Sequence, residues 1–175
     1  MILKNVTDTR LVLAIITLVV ISGTTIITTQ VLGIKFATTM SGDQVSPPTD
    51  TSVNGNASFR TTTYDTVIKY KIKIAGSSDV TSADIHMGKK GENGETVADL
   101  LKDSKKNGIK METSIRGNIT SSDLKGPLKG KMIAELISAM SNGSTYLNID
   151  TPYHENGEIR GQIDLLGNVN STKVK

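Results

Sequence analysis

Cysteine is absent from the 175 residues, so neither a disulfide nor a thiolate metal site can form. Tryptophan is absent too, and four Tyr and two Phe bring the aromatics to only 3%. That is too few for the stacking platform of a single-strand nucleic-acid binder. A concentrated basic face is also missing. Lys4, Arg10 and Lys35 against Asp8 account for most of the net charge of +3, which leaves residues 36–175 with 17 basic and 16 acidic side chains. That balance argues against nucleic acid as a partner. No Ser-His-Asp spacing, nucleophile elbow, phosphate loop or dinucleotide fingerprint occurs.

What the chain does contain is 37% hydrophobic residues, 16 Gly and a heavy load of Thr and Ser. This composition favours an all-β fold with many turns and a core of Ile, Leu, Val and Met. The length suits one domain behind an N-terminal segment.

That segment opens with Lys4 and Arg10, and no charge follows from Leu11 to Ile34. As a helix the run would measure roughly 36 Å at about 1.5 Å per residue, enough for a hydrocarbon core of about 30 Å. Its second half is polar, with Ser22, Thr24, Thr25, Thr28, Thr29 and Gln30. A charged start before an apolar stretch is the pattern of a signal peptide. The alternatives are a retained membrane anchor and the buried helix of a soluble protein. With either of the first two, Lys4 and Arg10 put the N-terminus inside and the domain outside. Residues 1–35 are read as signal peptide or anchor, 36–167 as the domain, and 168–175 as a polar tail.

Period-two alternation predicts strands over 36–42, 57–64, 68–74, 82–87, 97–101 and 110–119. In the clearest of them Ile68, Tyr70, Ile72 and Ile74 face one way and Lys69, Lys71 and Lys73 the other. The lysine row reads as a solvated face or a guarded edge rather than a binding stripe. Residues 88–94 form a polar loop and 102–108 a charged, mobile connection. Residues 131–142 predict one helix, with Met132, Ile133, Leu136, Ile137 and Met140 as its apolar stripe and Gly143 at its C-terminal cap. Residues 121–124 read as a helical turn stopped by Gly126-Pro127. Two strands close the domain. Thr145, Leu147 and Ile149 point to the core, opposite Tyr146, Asn148 and Asp150. After a turn with Pro152, Asn156 and Gly157, Ile159, Ile163 and Leu165 oppose Glu158, Arg160, Gln162 and Asp164, whose polar face is expected to be wet. The sum is an antiparallel Greek-key β-sandwich of about eight strands with one inserted α-helix.

The chain resembles the CHRD (chordin) domain family over roughly residues 36–166. The strongest part is Tyr146-x-Asn148-x-x-Thr151, then Gly157-Glu158-Ile159-Arg160-Gly161-Gln162 unbroken. Supporting pieces are Gly42-x-Gln44 with Pro47-Pro48, Gly55-x-Ala57-x-Phe59, Ala83-x-Ile85-His86-x-Gly88 and Asp123-Leu124-x-Gly126-Pro127-Leu128. The resemblance implies an extracellular β-sandwich module. Such modules occur as repeats in an antagonist of secreted growth factors and singly in microbial exported proteins. Two positions where the family usually carries His hold Asp84 and Asp150 here, while His86 and His154 keep theirs.

Asp84 and His86, two apart on one strand, share a face at roughly 7 Å. With Asp150 and His154 they are a candidate ligand set for a divalent metal such as zinc. His-x-His on a Greek-key strand also suggests a redox enzyme related by fold to superoxide dismutase, a fold-level analogy. Carboxylates in place of imidazoles would weaken copper binding in particular. The competing reading is a hydrogen-bonded ion network of Asp84, His86, Asp150 and Arg160 that joins strands. Asn148, Glu158, Arg160 and Gln162 form the rest of the polar cluster, with Arg160 expected to bridge Glu158 and Asp150. Gly161 makes room for a large neighbour or a bulge. Asn56, Asn118, Asn142 and Asn170 begin glycan acceptor sequences. The functional expectation is an exported or membrane-tethered binding or surface-structural module, not an enzyme. It would meet an extracellular protein or surface ligand and touch the membrane only through its N-terminal segment. A metal-binding domain and the redox enzyme are the alternatives.

Overall fold

The structure is a computed structural model. It describes residues 14–21, 24–31, 33–62, 64–76, 79–102 and 114–166. Lys4, Arg10, the connection at 103–108, the expected start of a strand at 110–113 and the tail from 167 lie outside these. Strands β1 (Ala14–Ile21) and β2 (Thr24–Val31) pair antiparallel with each other. The described part of the uncharged run is thus two paired strands rather than the helix considered above. No helix among the described residues is long and apolar enough to cross a membrane.

Among the described residues the rest is one antiparallel sheet of nine strands, with an α-helix between the eighth and ninth strands in chain order. The strands are β3 (Lys35–Ser41), β4 (Asn54–Thr61), β5 (Ile68–Ala75), β6 (Ser82–Met87), β7 (Thr96–Asp99), β8 (Ser114–Ile119), β9 (Thr145–Asp150), β10 (Ile159–Gln162) and β11 (Asp164–Leu165). Their spatial order is β7-β6-β9-β10-β3-β4-β5-β8, and β11 also pairs with β3. Beyond β8 the chain folds onto the far edge. Leu124 bridges to Ala98, and the Lys125 N–H donates to the Val97 carbonyl (2.9 Å). The sheet therefore curls until it is nearly a closed barrel.

Alternation explains the interior. Phe36, Met40, Ala57, Phe59, Ile68, Ile72, Ala83, Ile85, Leu147, Ile149, Ile159 and Ile163 are all buried in one cluster. Leu136 and Met140 of α1 (Ile133–Ser141) are fully buried in it. Gly143 follows the helix with a left-handed φ of +70°, as a C-terminal cap requires. The Tyr70 hydroxyl crosses the interior to the Leu100 carbonyl (2.6 Å), which satisfies a buried polar group.

Several boundaries and facings differ from expectation. Met132 precedes the helix and is 69% exposed, so it leaves the stripe. Strand β4 starts three residues early, at Asn54-Gly55, because its pairing with β5 runs on to Ala75. It ends at Thr61, since the Thr62 and Asp65 N–H groups bond into a turn, with Asp65 at φ +50°. Tyr64 is consequently a turn residue and 86% exposed. Gly126-Pro127 does not simply stop the preceding turn but opens a second 3-10 turn to Leu128. Leu165 falls on the short edge strand β11 and is exposed.

Candidate functional site

Residues opposite one another in neighbouring strands share a face. Register therefore lays out the outer face of β7-β6-β9-β10 as three rows. Ser82 faces Asp150; Asp99, Asp84, Asn148 and Arg160 form the second row; Thr96, His86, Tyr146 and Gln162 form the third. This face is only partly wet: Tyr146, Asn148 and Arg160 are buried and the others are half-buried. Residues 145–149 are buried on both sides, because the 88–94 loop folds back over the sheet.

Arg160 is what holds that loop. The residue is 2% exposed. It donates from Nη2 to the carbonyls of Lys89 (3.1 Å) and Glu92 (2.7 Å), and from Nη1 to Asn93 Oδ1 (3.1 Å). Its Cζ lies 3.4 Å from the centroid of the Tyr146 ring, a desolvated cation–π contact. From the strand on the other side of β9, the His86 ring stacks on Tyr146 at 5.0 Å between centroids and 11° between planes. Burial lowers the Arg160 pKa, with Tyr146 opposing it. Gln162 Nε2 completes the grip, reaching the carbonyls of Gly88, Gly143 and Thr145 at 2.8–3.0 Å. The loop answers with the Gly94 N–H, which donates to the Tyr146 hydroxyl (3.1 Å), and the Gly94 carbonyl, which stands 2.9 Å from His86 Nδ1.

Glu158 does the same for two other loops. It is 4% exposed and accepts from Thr51 Oγ1, from Thr151 Oγ1 (2.8 Å) and from His154 Nδ1 (2.5 Å). Thr51 belongs to the 42–53 loop and the other two to the 151–157 loop. Burial alone would raise the Glu158 pKa, but the bonds from Thr51, His154 and Thr151 outweigh it and hold the carboxyl below its ordinary value. A third tie joins loop to loop: Asn93 Nδ2 donates to the Ser46 carbonyl (2.8 Å), and Ser46 Oγ to the Gly91 carbonyl (3.1 Å).

The expected bridge from Arg160 to Glu158 and Asp150 is therefore not made. Arg160 spends its donors on the 88–94 loop, and Asp150 Oδ1 accepts from Asn148 Nδ2 instead (2.6 Å). Burial first, and the Asp84 charge second, push Asp150 up to about 6, with the Asn148 bond opposing. Asp84 itself accepts from Ser82 Oγ.

The four candidate metal donors do not converge. Asp84 and Asp150 are neighbours, His86 is stacked on Tyr146, and His154 is bound to Glu158. Among the described residues no three His, Asp or Glu side chains are placed to hold an ion. Gly161 makes room for backbone rather than for a large side chain. A Cβ there would overlap Thr38 Oγ1 and the Thr39 carbonyl, so glycine lets β10 lie against β3. Tyr146, Thr51, Thr151 and Asn93 are the participants the sequence reading did not assign. Tyr146 and Thr151 left a trace, in the Tyr146-x-Asn148-x-x-Thr151 motif.

The curled antiparallel sheet and its buried polar clasp define an all-β domain whose motif residues fasten loops. A comparison with models of protein families matches the CHRD domain over residues 36–163. The chain belongs to that family. Comparison with curated proteins and with solved structures gives no match. Glu158, Arg160 and Gln162, the side chains of the unbroken run that carries the resemblance, are the ones that tie the three loops.

Proposed function

We propose that this chain is an exported or membrane-tethered CHRD protein whose domain acts outside the cytoplasm as a binding or surface-structural module. One observation carries the reading: Glu158, Arg160 and the Gln162 amide nitrogen each make hydrogen bonds to neighbouring loops. Groups engaged in this way build a scaffold that presents loops, and loops on a rigid scaffold are where recognition concentrates. The partner would be an extracellular protein or surface ligand met by the 42–53, 88–94 and 151–157 loops, with Tyr153, 83% exposed, as an anchor on the last. On this reading the sheet works as a Greek-key sandwich, the β7-β6-β9-β10 half facing the β3-β4-β5-β8 half across the core. The uncharged run from Leu11 to Ile34 behind Lys4 and Arg10 supports export or tethering. The small domain has no disulfide, and a buried clasp is a means of rigidity that oxidation is not needed to form.

Protease added to intact cells tests the location. Cleavage within the charged segment 102–108 is expected without lysis. Protection that ends only when the cells are broken open would sink the proposal.

A further inference from the structure

The outer face of the other half of the sheet is chemically different from the clasp. Three rows cross β3, β4, β5 and β8: Lys35, Arg60, Lys69, Asn118; Ala37, Ser58, Lys71, Arg116; and Thr39, Asn56, Lys73, Ser114. Six of these twelve positions are cations and none is acidic. Among the described residues no ion pair joins any of the six to a carboxylate. Among the described residues Asp164, opposite Ala37 on β11, is an acid at the margin of this face, and Asp65 lies in the β4–β5 turn. Five of the six cations are exposed and Lys71 is half-buried. Arg116 and Lys73, with some burial, lower the Lys71 pKa, the mark of uncompensated like charge.

One end of this face is also apolar. A groove of about 290 Å3 lies there, lined by Lys35, Ser58, Arg60, Lys69, Lys71 and Leu166 among others. Leu166 stands exposed in its lining, and Tyr64 projects from the turn that joins Thr61 to Ile68 at the same end. The Leu166 N–H donates to the Lys35 carbonyl (2.9 Å), and the Thr61 N–H to that of Ile34 (2.9 Å). Lys35 directly follows the uncharged run, so this end is where the run enters the domain.

We infer that this face docks on an anionic bilayer surface, with Lys35, Arg60, Lys69 and Lys71 on lipid phosphates and Tyr64 and Leu166 in the headgroup layer. Four strands about 4.8 Å apart spread the charges over roughly 14 Å in each direction, too broad for one small anion. A soluble acidic polymer would satisfy the cations but gives no role to Leu166 and Tyr64. A membrane interface takes basic, aromatic and aliphatic groups together. Each cation near an anionic leaflet strengthens partitioning by roughly fivefold, an effect that fades beyond a Debye length. The docking rests on the extracytoplasmic reading only for which membrane face is met; the charge and apolar pattern stand without it.

The chain has no tryptophan, so Tyr64→Trp supplies a single reporter in the full-length protein. The protein is reconstituted in vesicles with or without about a third anionic phospholipid, each carrying a brominated quencher at headgroup depth. Strong quenching is expected in the anionic vesicles, at least fivefold weaker in zwitterionic ones. It should be lost in 1 M salt and in the Arg60→Glu, Lys69→Glu double variant. Quenching that is equal in the two lipids, or unmoved by charge reversal, overturns the proposal. So does an emission shift produced by soluble polygalacturonate where lipid produces none. Retention of the chain on vesicles after an alkaline wash reads the tether separately, so failure of docking and failure of tethering are distinguishable.

Discussion

Arg160 and Asp150 stand near each other in the register, and their environments act in opposite directions. Arg160 is buried with three partners and an aromatic ring. Asp150 has one donor, Asn148, and faces the Asp84 carboxylate. Its pKa rises from 3.8 to about 6, so between about pH 4 and 6 the folded state holds a proton that the unfolded chain has released. Stability from this group is then complete below about pH 4 and is lost as the pH rises through 6. Glu158 works the other way: its pKa is lowered, so its contribution is present above the ordinary carboxylate range and is lost as the pH falls. Comparing wild type with Asp150→Asn isolates the first effect. The amide keeps an acceptor for Asn148 and removes the charge. The variant should be more stable at pH 7 by about 1 kcal/mol, after discounting for solvent screening of a half-exposed group, and equal to wild type near pH 4. Urea midpoints at the two pH values measure it, and a constant difference across them would refute the assignment. A polar cluster on this face was legible from alternation alone. Its pairing was not, because the partners of Arg160 and Gln162 are mostly backbone carbonyls, three of them in residues 88–94, and every sequence has backbone carbonyls.

Among elements, those with strong periodicity were legible and those fixed by distant contacts were not. Strand β5 shows its Ile-Lys alternation outright, and the α1 stripe places Leu136 in the core where it lies. The fold-back of the 88–94 loop leaves only glycines at its ends as a sign. Gly88 sits at φ +146°, with its Cα side turned to the Tyr146 ring, where a Cβ would be 3.0 Å from Cε1. Placement of this loop depends on Arg160, which leads to a test at the level of the element. Arg160→Met keeps most of the side-chain bulk and removes all donors. The Glu92 carbonyl would lose its Arg160 donor under the loop, and the Lys89 carbonyl would keep only the Glu92 N–H, at a cost of about 1–3 kcal/mol. Amide exchange should quicken at Glu92 and Gly94, whose N–H groups bond within the loop and to Tyr146. Amides of β4 and β5, on the other side of the molecule, should exchange as before. Unchanged exchange at Gly94 would show that the loop is held by something other than Arg160.

Across the whole molecule the question is whether the two halves of the sheet are one unit. The β10–β3 junction between them is thin: its ladder has the single register pair Arg160↔Ser41, extended by two pairs between β11 and β3. Hydrogen bonding there alone would leave β7-β6-β9-β10 and β3-β4-β5-β8 free to part. Three features oppose that. The buried apolar cluster is continuous from Phe36 and Ile72 on one side to Ile85 and Leu147 on the other. The Tyr70 hydroxyl ties β5 to the Leu100 carbonyl beyond β7. Leu124, carried by the segment after β8, bridges to Ala98 on the opposite edge. The near-closure that results was not legible in the sequence, since a lone bridge and one hydroxyl have no periodic signature; alternation gave the strands and left their curvature open. A shared core makes loss of either half expose the other, so unfolding should be all-or-none. Denaturant curves followed by far-ultraviolet circular dichroism and by the fluorescence of a Tyr64→Trp reporter should coincide, and reductant should shift neither, as the chain has no cysteine. Tyr70→Phe should lower the common midpoint without separating the curves, leaving the Leu100 carbonyl buried and unbonded at about 1–3 kcal/mol. If the two probes report different midpoints in the Tyr64→Trp protein without the Tyr70 change, the halves are separate folding units and the core does not couple them.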